Sequence, residues 1–229
     1  MSLFAIADLH LSFGTDKKMD VFTGWSNYTQ RLEKNWKSVV TDDDTVVIAG
    51  DVSWAMKLED TKKDFEFINS LPGKKIIIKG NHDYWWSTKR KMENYLHENG
   101  FSTISILYNT AYSVDKFAIC GTRGWFYDAE SDDDKKVLNR EIGRLNASID
   151  VAAKLGGEII AFLHYPPVYG CAECKEIIDT LILRNITKCY YGHVHGSEAI
   201  KRAYIGEYKG INFNLISCDY TNFMPVLIK

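Results

Sequence analysis

The chain has 229 residues, of which 45% are hydrophobic and 25% charged, and it contains only 4 prolines. These values are those of a folded globular chain and exclude the disordered and disulfide-stapled classes, so we expect a single domain over residues 1–229. The 28 lysines and arginines are balanced by 30 aspartates and glutamates, and the net charge of -2 offers no basic excess for a nucleic-acid partner.

Strand-like runs alternate with segments of helical periodicity along most of the chain. Strands are predicted at residues 3–7, 45–49, 75–79, 105–108, 117–120, 158–163 and 188–191, followed by three more at 200–205, 211–215 and 224–228. Apolar residues recur every three or four positions from Tyr28 to Val40, behind the candidate N-cap Ser26, and from Leu138 to Ala152. The alternation predicts an α/β layered fold, and the closing strands predict an antiparallel addition or a second sheet.

Further helical segments are predicted around residues 65–68, 92–96 and 178–182. The acidic runs 42–44 and 132–134 are interpreted as solvated charges of a loop and of a helix N-terminus. The start of the chain lacks a basic leader and a cleavage site, and no apolar run approaches the ~18 residues of a membrane span. The five cysteines are an odd number at scattered spacing, which favours a reducing compartment. We expect a cytoplasmic protein without membrane contact.

Five polar clusters directly follow strand-like runs and contain five of the six histidines. They read Asp8-Leu9-His10, Gly50-Asp51, Gly80-Asn81-His82-Asp83, His164-Tyr165-Pro166 and Gly192-His193-Val194-His195. The patterns G-H-x-H and G-N-H-D are expected by chance only about 0.01 and about 0.002 times, whereas D-x-H and Gly-Asp are each common. Ligands of an open α/β sheet bind beyond the carboxyl ends of its strands, so these five loops are expected to face one crevice.

The residue types in these clusters suit a pair of divalent metal ions. Two ions ~3.5–4 Å apart need a carboxylate that bridges them, together with imidazole and oxygen ligands that complete both coordination shells. Asp51 is the natural bridge, and residues two apart at a strand end project to the same side. Two carboxylates facing two dications leave a positive site that attracts phosphate. The candidate ligands are Asp8, His10, Asp51, Asn81, His164, His193 and His195.

In this order the motifs resemble those of the calcineurin-like metallophosphoesterase superfamily, whose pattern reads D-x-H, G-D, G-N-H-D/E, H and G-H-x-H. The resemblance runs from Asp8 to His195 and is carried by the short motifs. It implies a four-layer αββα sandwich of two mixed β-sheets flanked by helices, with a dinuclear metal site at the C-terminal ends of the strands. It also implies metal-dependent hydrolysis of a phosphoester by a hydroxide that bridges the metals.

The same resemblance implies a role for each site residue. One metal ion would be held by Asp8, His10 and His195 and the other by Asn81, His164 and His193, with Asp51 bridging both. His82 would contact the phosphate and protonate the leaving-group oxygen, with Asp83 orienting it. An alternative for Asp83 is a cap or turn residue before a helix that begins at Ser87 or Thr88.

The sequence lacks the Asp-Arg pair and the G-N-H-E motif of the protein Ser/Thr phosphatases in this superfamily, so a small bacterial-type phosphoesterase is the closer likeness. We expect a small organic phosphoester as substrate, and phosphomonoesters and phosphodiesters both fit. The metals can be Mn, Fe, Zn or Co, because the mixed donors do not separate them. A nuclease and a non-catalytic metal-binding scaffold of the same fold remain alternatives.

Aromatic residues crowd the same side of the predicted sheet, and each suits either core packing or a substrate pocket. They are Trp54, Tyr84, Trp85, Trp86 and the run Trp125-Phe126-Tyr127. Among them, Trp125 and the adjacent Arg123 are the candidate substrate-binding residues. Cys171 and Cys174 form a lone C-x-x-C, which we interpret as incidental thiols, with a redox-sensitive pair as the alternative.

Overall fold

Two β-sheets packed face to face form the centre of the molecule, and helices cover the outer face of each. The computed structural model describes residues 1–125 and 131–229, so Phe126 and Tyr127 of the predicted aromatic run lie outside the described residues. Within the described ranges, the predicted αββα sandwich of two mixed sheets is confirmed.

The elements follow one another in the order that the sequence predicts, with several additions. The strands are β1 Leu3–Ile6, β2 Thr45–Ile48, β3 Lys74–Ile77, β4 Ile104–Ile106, β5 Tyr112–Val114, β6 Phe117–Thr122, β7 Glu158–Leu163, β8 Val168–Tyr169, β9 Ala172–Glu173, β10 Lys188–Tyr191, β11 Gly206–Tyr208, β12 Ile211–Leu215 and β13 Val226–Leu227. The α-helices are α1 Tyr28–Val39, α2 Lys62–Ser70, α3 Lys89–Glu98, α4 Asp132–Leu155, α5 Lys175–Leu183 and α6 Ser197–Ile200. A 3₁₀ helix, Leu58–Thr61, precedes α2.

Each sheet has a parallel centre and at least one antiparallel edge. The first sheet has the order β13-β1-β2-β3-β4, in which β1 to β4 are parallel and β13 runs against β1. The second sheet has the order β11-β12-β10-β7-β6-β5, with antiparallel strands at both edges. The carboxyl ends of the two sheets meet, since Ala7 after β1 pairs with Ser217 after β12.

The alternation of side chains along each strand accounts for the four layers. In β1, Leu3 and Ala5 belong to the buried cluster between the sheets, whereas Phe4 and Ile6 face the cluster that includes residues of α1 and α2. A third cluster lies between the second sheet and helices α4 and α5. Because both faces of the central strands are covered, these strands are nearly continuous apolar runs.

Three local predictions are wrong. The strand predicted at 200–205 is absent, because α6 extends to Ile200 and β11 begins only at Gly206. Helix α1 begins behind Asn27 rather than Ser26, and Asn27 has a left-handed φ of 50° without a side-chain cap. Asp44 is buried rather than solvated, since its carboxylate accepts hydrogen bonds from the Ser2 and Thr41 backbone. The acidic run 132–134 does form the first turn of α4. No helix in the described ranges is long and apolar enough to cross a membrane.

Candidate metal centre

Each predicted donor residue lies just beyond the carboxyl end of a parallel strand. Asp8 and His10 follow β1, Asp51 follows β2, Asn81 follows β3, His164 follows β7, and His193 and His195 follow β10. Strands β1, β2 and β3 are neighbours in the first sheet, and β7 and β10 are neighbours in the second. Because the carboxyl ends of the two sheets meet, the structure brings all seven residues together in one crevice.

The backbone of the site adopts conformations that ordinary residues avoid. Asp8, His10, Asp51 and His193 all have left-handed φ values, between 46° and 71°. A non-glycine residue in this region costs of the order of 1–3 kcal/mol, and such residues cluster at functional sites. Four of the seven candidate ligands therefore carry backbone strain that the surrounding fold must stabilise.

Two motif glycines leave room for the carboxylates of the site. A Cβ atom added to Gly80 would lie 2.1 Å from the Asp51 Oδ1 atom, and one added to Gly192 would lie 2.6 Å from Asp8 Oδ2. Any larger residue at these positions would displace a candidate ligand. This close approach explains why the G-N-H-D and G-H-x-H motifs begin with glycine.

The first donor group consists of Asp8, His10 and His195, whose ligand atoms all lie within 4.8 Å of one another. The Nε2 atoms of His10 and His195 are 3.3 Å apart, and His195 Nε2 is 3.3 Å from Asp8 Oδ1. Asp8 also accepts hydrogen bonds from the His193 backbone N–H, which fixes its carboxylate. Two imidazole nitrogens and one carboxylate oxygen thus converge on one point.

The second donor group consists of Asp51, His164 and His193, again within 4.8 Å, and Asn81 joins it. The Asn81 Oδ1 atom is 2.6 Å from His164 Nε2 and 2.8 Å from His193 Nδ1. His193 therefore faces the group with Nδ1, whereas His164 faces it with Nε2. The His164 Nδ1 atom is 3.1 Å from the Ala49 carbonyl oxygen, which sets the orientation of that ring.

Asp51 lies between the two groups. Its Oδ2 atom is 3.5 Å from His164 Nε2 in the second group and 3.8 Å from His10 Nε2 in the first. Its Oδ1 atom accepts a hydrogen bond of 2.8 Å from the His82 backbone N–H. One carboxylate oxygen therefore lies within 4 Å of an imidazole nitrogen of each group.

The electrostatics of the residues fit a pair of bound cations. Burial, followed by the neighbouring Asp8, raises the pKa of Asp51 to about 8. Burial, followed by repulsion from His164, lowers the pKa of His193 to about 3, and burial also lowers the pKa of His164. Histidine binds metals in its neutral form, so the His164 and His193 rings are already in the state that coordination needs. His195 differs, because its burial is outweighed by Asp8 and Asp219, which raise its pKa to about 10, so a metal ion there would have to displace a proton.

His82 lies beside the donor groups without joining either. Its ring centre is 5.8 Å from that of His10 and 4.5 Å from that of Trp54. Its Nδ1 atom is buried and has no hydrogen-bond partner among the described residues. Burial, followed by the charge of His164, lowers its pKa. A half-buried imidazole with a free nitrogen is thus held at the edge of the site.

Asp83 does not contact the His82 ring, and the expectation that it orients His82 needs correction. The Asp83 carboxylate is buried, and Oδ2 accepts hydrogen bonds from the backbone N–H groups of Asp51 at 3.0 Å and Gly80 at 2.7 Å. Oδ1 accepts from the Val52 backbone at 2.9 Å, the Ser53 backbone at 3.3 Å and the Trp85 indole at 2.9 Å. Asp83 therefore joins the loops after β2 and β3. The cap of α3 is Thr88, which accepts a hydrogen bond from the Lys91 backbone.

Arg123 and Trp125 lie together next to the second donor group. The Arg123 carbonyl accepts a hydrogen bond of 3.1 Å from the His164 backbone N–H. Both side chains contact the Tyr165 ring, which lies 4.6 Å from the His193 ring. The Arg123 guanidinium is 4.9 Å from the Trp125 ring centre and 3.6 Å from the buried carboxylate of Glu141. Trp125 packs against the core of the second sheet and contacts the Tyr165 ring. A substrate contact through this pair stays a prediction, since neither residue lines the cleft above His10, His82 and His195.

Asp219 is a functional candidate that sequence reasoning missed. Its Oδ1 atom is 2.9 Å from His195 Nδ1, and its Oδ2 atom accepts a hydrogen bond from the Gly196 backbone. A carboxylate on the far nitrogen of a ligating histidine fixes the ring and raises its basicity. Asp219 follows β12 as the other clusters follow their strands, so the same strand-end argument would have found it.

A cleft of about 740 Å³ opens above His10, His82 and His195. Its walls come from the loop between β1 and α1, from Trp54 and from the chain beyond His195. This volume lies within the range of sites for drug-sized organic ligands and is far larger than a phosphate ion needs. The two cysteines of the C-x-x-C motif do not line it, and both are free thiols.

Comparison with known proteins agrees with this architecture. The chain matches the family model of the calcineurin-like phosphoesterases over residues 1–197, and it belongs to that family. It is 26% identical to protein MJ1445 of Methanocaldococcus jannaschii over 155 residues, which cover 65% of this chain and 82% of that protein. Membership of the family indicates a metal-dependent hydrolase of phosphoesters, and the two donor groups agree with a dinuclear centre.

Two solved structures share the fold across almost the whole chain. One is the phosphopantetheinyl hydrolase of Mycobacterium tuberculosis, with a TM-score of 0.60 and 14% identity. The other is protein AQ665 of Aquifex aeolicus, with a TM-score of 0.53 and 17% identity. Each comparison covers 99% of this chain and 95% of the other.

Proposed function

We propose that this protein hydrolyses a phosphoester bond of an organic phosphate with the help of two metal ions. One ion would be held by Asp8, His10 and His195 and the other by Asn81, His164 and His193, with Asp51 shared between them. When bound, such ions supply Lewis acidity at the phosphoryl oxygens and a water of lowered pKa. The donors are oxygen and imidazole nitrogen without thiolate, a set that suits Mn, Fe, Zn or Co.

The observation that carries the proposal is the position of the Asp51 carboxylate between the two donor groups. Its Oδ2 atom lies 3.5 Å and 3.8 Å from one imidazole nitrogen of each group. A buried carboxylate among neutral imidazoles costs free energy unless cations compensate it. The arrangement is therefore best explained as a site for two cations that share a ligand.

His82 is proposed to give the proton that the leaving oxygen needs. Its ring borders the cleft and the first donor group, and its Nδ1 atom has no partner among the described residues. A phosphate dianion beside the ring would raise the pKa of His82 and favour the protonated form that can donate. Asp83 is proposed as a positioning residue that acts through the loop carrying Asp51.

The substrate is proposed to be a small to moderately sized organic phosphoester. The cleft volume supports this size, and the near-neutral charge of the chain gives no support to a nucleic-acid substrate. The Mycobacterium tuberculosis relative of the same fold acts, by its name, on a phosphopantetheinyl group, an organic phosphate of this size class. The five free thiols support a location in the reducing cytoplasm.

The test combines metal analysis with turnover. We expect the purified protein to bind two metal ions per chain and to hydrolyse 4-nitrophenyl phosphate or bis(4-nitrophenyl) phosphate with added Mn²⁺. Asp51→Asn should disturb both metal sites, and Asp8→Asn chiefly one. The control is His97→Ala, which replaces the exposed histidine on α3 that is remote from the motifs and should leave both quantities unchanged. Absence of bound metal together with absence of turnover of either ester would refute the proposal.

A further inference from the structure

The cleft above the candidate metal centre is asymmetric, with an apolar wall and a cation at its mouth. The wall consists of Met19, Phe22, Trp25 and Ile200. Met19 and Trp25 are buried, whereas Phe22 is 51% exposed on the rim. An apolar surface of this kind binds the uncharged body of a ligand rather than its phosphate.

Most charged groups of the cleft that are not candidate metal ligands are already engaged. The Arg31 guanidinium donates hydrogen bonds to the Gly24 carbonyl and to the Asn222 side chain, and it lies over the Phe223 ring. The Asp219 carboxylate is taken by His195 and by backbone N–H groups. Their contacts hold the walls of the cleft together, and those of Arg31 use two of its five N–H donors.

Lys17 differs from both, because its ammonium makes no hydrogen bond to the described residues. Its ammonium lies 4.4 Å from the centre of the Trp54 ring, and no carboxylate of the described residues is within ion-pair distance of it. Trp54 is itself fixed, because its indole N–H contacts the Met19 sulfur at 3.3 Å and its ring stacks on His10 at 5.0 Å. The same Trp54 ring is 4.5 Å from the His82 ring. A fixed aromatic platform thus holds an unpaired cation next to the proposed proton donor.

We infer that the substrate is an organic phosphoester that carries a second anionic group, and that Lys17 binds this group. The inference rests on the proposed function and adds two features of the substrate. Its body is apolar enough to lie against Met19, Phe22 and Trp25, and its second anion reaches Lys17 when the phosphate is at the metal centre. Lys17 is then a specificity-determining residue.

The test measures binding, so that it does not depend on turnover. The probes are methylphosphonate, benzylphosphonate, and benzylphosphonates with a carboxylate or the isosteric carboxamide at the 3- or 4-position. Their dissociation constants are measured by isothermal titration on the Mn²⁺-loaded protein. We expect at least one carboxylate to bind about 3- to 10-fold more tightly than its carboxamide, as one charge-assisted contact allows. The preference should weaken in 0.5 M salt because salt screens an exposed pair.

Matched variants assign the effect to residues. Lys17→Met should remove the preference for the carboxylate and leave the affinity for benzylphosphonate unchanged. The adjacent Lys18→Met removes the same charge outside the cleft and should retain the preference. Phe22→Ala should reduce the preference for benzylphosphonate over methylphosphonate, whereas Phe13→Ala, at an exposed phenylalanine outside the cleft, should not.

The outcomes separate this inference from the proposed function. If phosphonates bind but neither carboxylate is preferred, or if Lys17→Met keeps the preference, the role of Lys17 is overturned while the phosphoester site stands. If Lys18→Met reduces the preference for the carboxylate probe as much as Lys17→Met does, the overall electrostatic field of the protein is responsible rather than a contact in the cleft. The inference is then also overturned. If the metal-loaded protein binds no phosphonate, the proposed function fails and the inference fails with it.

Discussion

The carboxylate of Asp83 joins the loops that carry Asp51 and Asn81, and the replacement Asp83→Asn tests that role. Asparagine keeps the shape of the side chain but substitutes an NH₂ group for one of the two oxygens. In the native protein Oδ2 accepts two hydrogen bonds and Oδ1 accepts three. Either orientation of the amide therefore places the NH₂ group against at least two N–H donors.

The expected cost follows from those lost acceptors. A buried N–H donor without a partner costs about 1–3 kcal/mol. Two such donors would therefore lower the free energy of unfolding by roughly 2–6 kcal/mol. Part of this loss is offset, because burial, followed by the nearby Asp51, raises the pKa of Asp83 to about 6, and asparagine removes that buried charge. We expect the free energy of unfolding to fall by about 1–4 kcal/mol. Metal affinity should fall about 10- to 100-fold, as for other residues that orient ligands.

The assay separates the two effects. Urea unfolding followed by tryptophan fluorescence in EDTA gives the stability of the metal-free protein, and isothermal titration gives the metal affinity. Asp44→Asn is the matched control, since Asp44 is also buried and accepts backbone hydrogen bonds, but before β2 rather than after it. It should lose stability and keep its metal affinity. Native metal affinity in Asp83→Asn, or an equal loss in Asp44→Asn, would refute the reasoning.

Three further perturbations test the site and the core. His82→Ala should lower kcat about 10²- to 10⁴-fold, the range for a general acid, with both metals retained in elemental analysis. Asp219→Asn should weaken about 10- to 100-fold the one metal site that includes His195, measured by titration. Burial lowers the pKa of Lys75 from 10.5 to about 8. Between pH 8 and pH 10.5 the unfolded chain therefore binds more protons at this residue than the native protein does. The free energy of unfolding accordingly rises with pH across this range. Lys75→Met lacks this gain in stability. The difference in free energy of unfolding, variant minus wild type, should therefore fall by about 1–3 kcal/mol from pH 7 to pH 10, measured by urea unfolding.

Each of these predictions has a clear contrary result. Loss of metal in His82→Ala would make His82 a ligand rather than a proton donor. Equal weakening of both metal sites in Asp219→Asn would show that Asp219 supports the whole loop and not one imidazole. A pH-independent difference between Lys75→Met and wild type would show that the Lys75 ammonium is not penalised by burial.

The sequence was most informative where strands are buried on both faces. Such strands are continuous apolar runs, and polar residues directly after them stand out, which is why the bounds of β7, β10 and β12 and all seven candidate donors could be predicted. The strand predicted at 200–205 fails for the converse reason. Its apolar residues are shared between a short helix that follows Gly196 and the turn before β11, where tertiary contacts override the local pattern.

The remaining features of the site depend on contacts between distant parts of the chain. The partners of Asp83 are backbone groups of another loop, and their positions follow from how β2 and β3 end rather than from any motif. The strand-end argument could have found Asp219 after β12, but not its contact with His195, because no characteristic spacing joins two residues 24 positions apart. Lys17 lies in a long irregular loop, where no periodicity indicates which side chains reach the cleft.

The two donor groups also influence how the fold is held together. Asp8 and His10 follow a strand of the first sheet, and His195, 185 residues from His10 in the chain, follows a strand of the second. A cation bound there ties the two sheets to each other and closes a loop that spans most of the polypeptide. Metal binding at this site should therefore raise the free energy of unfolding and stabilise the contact between the two sheets.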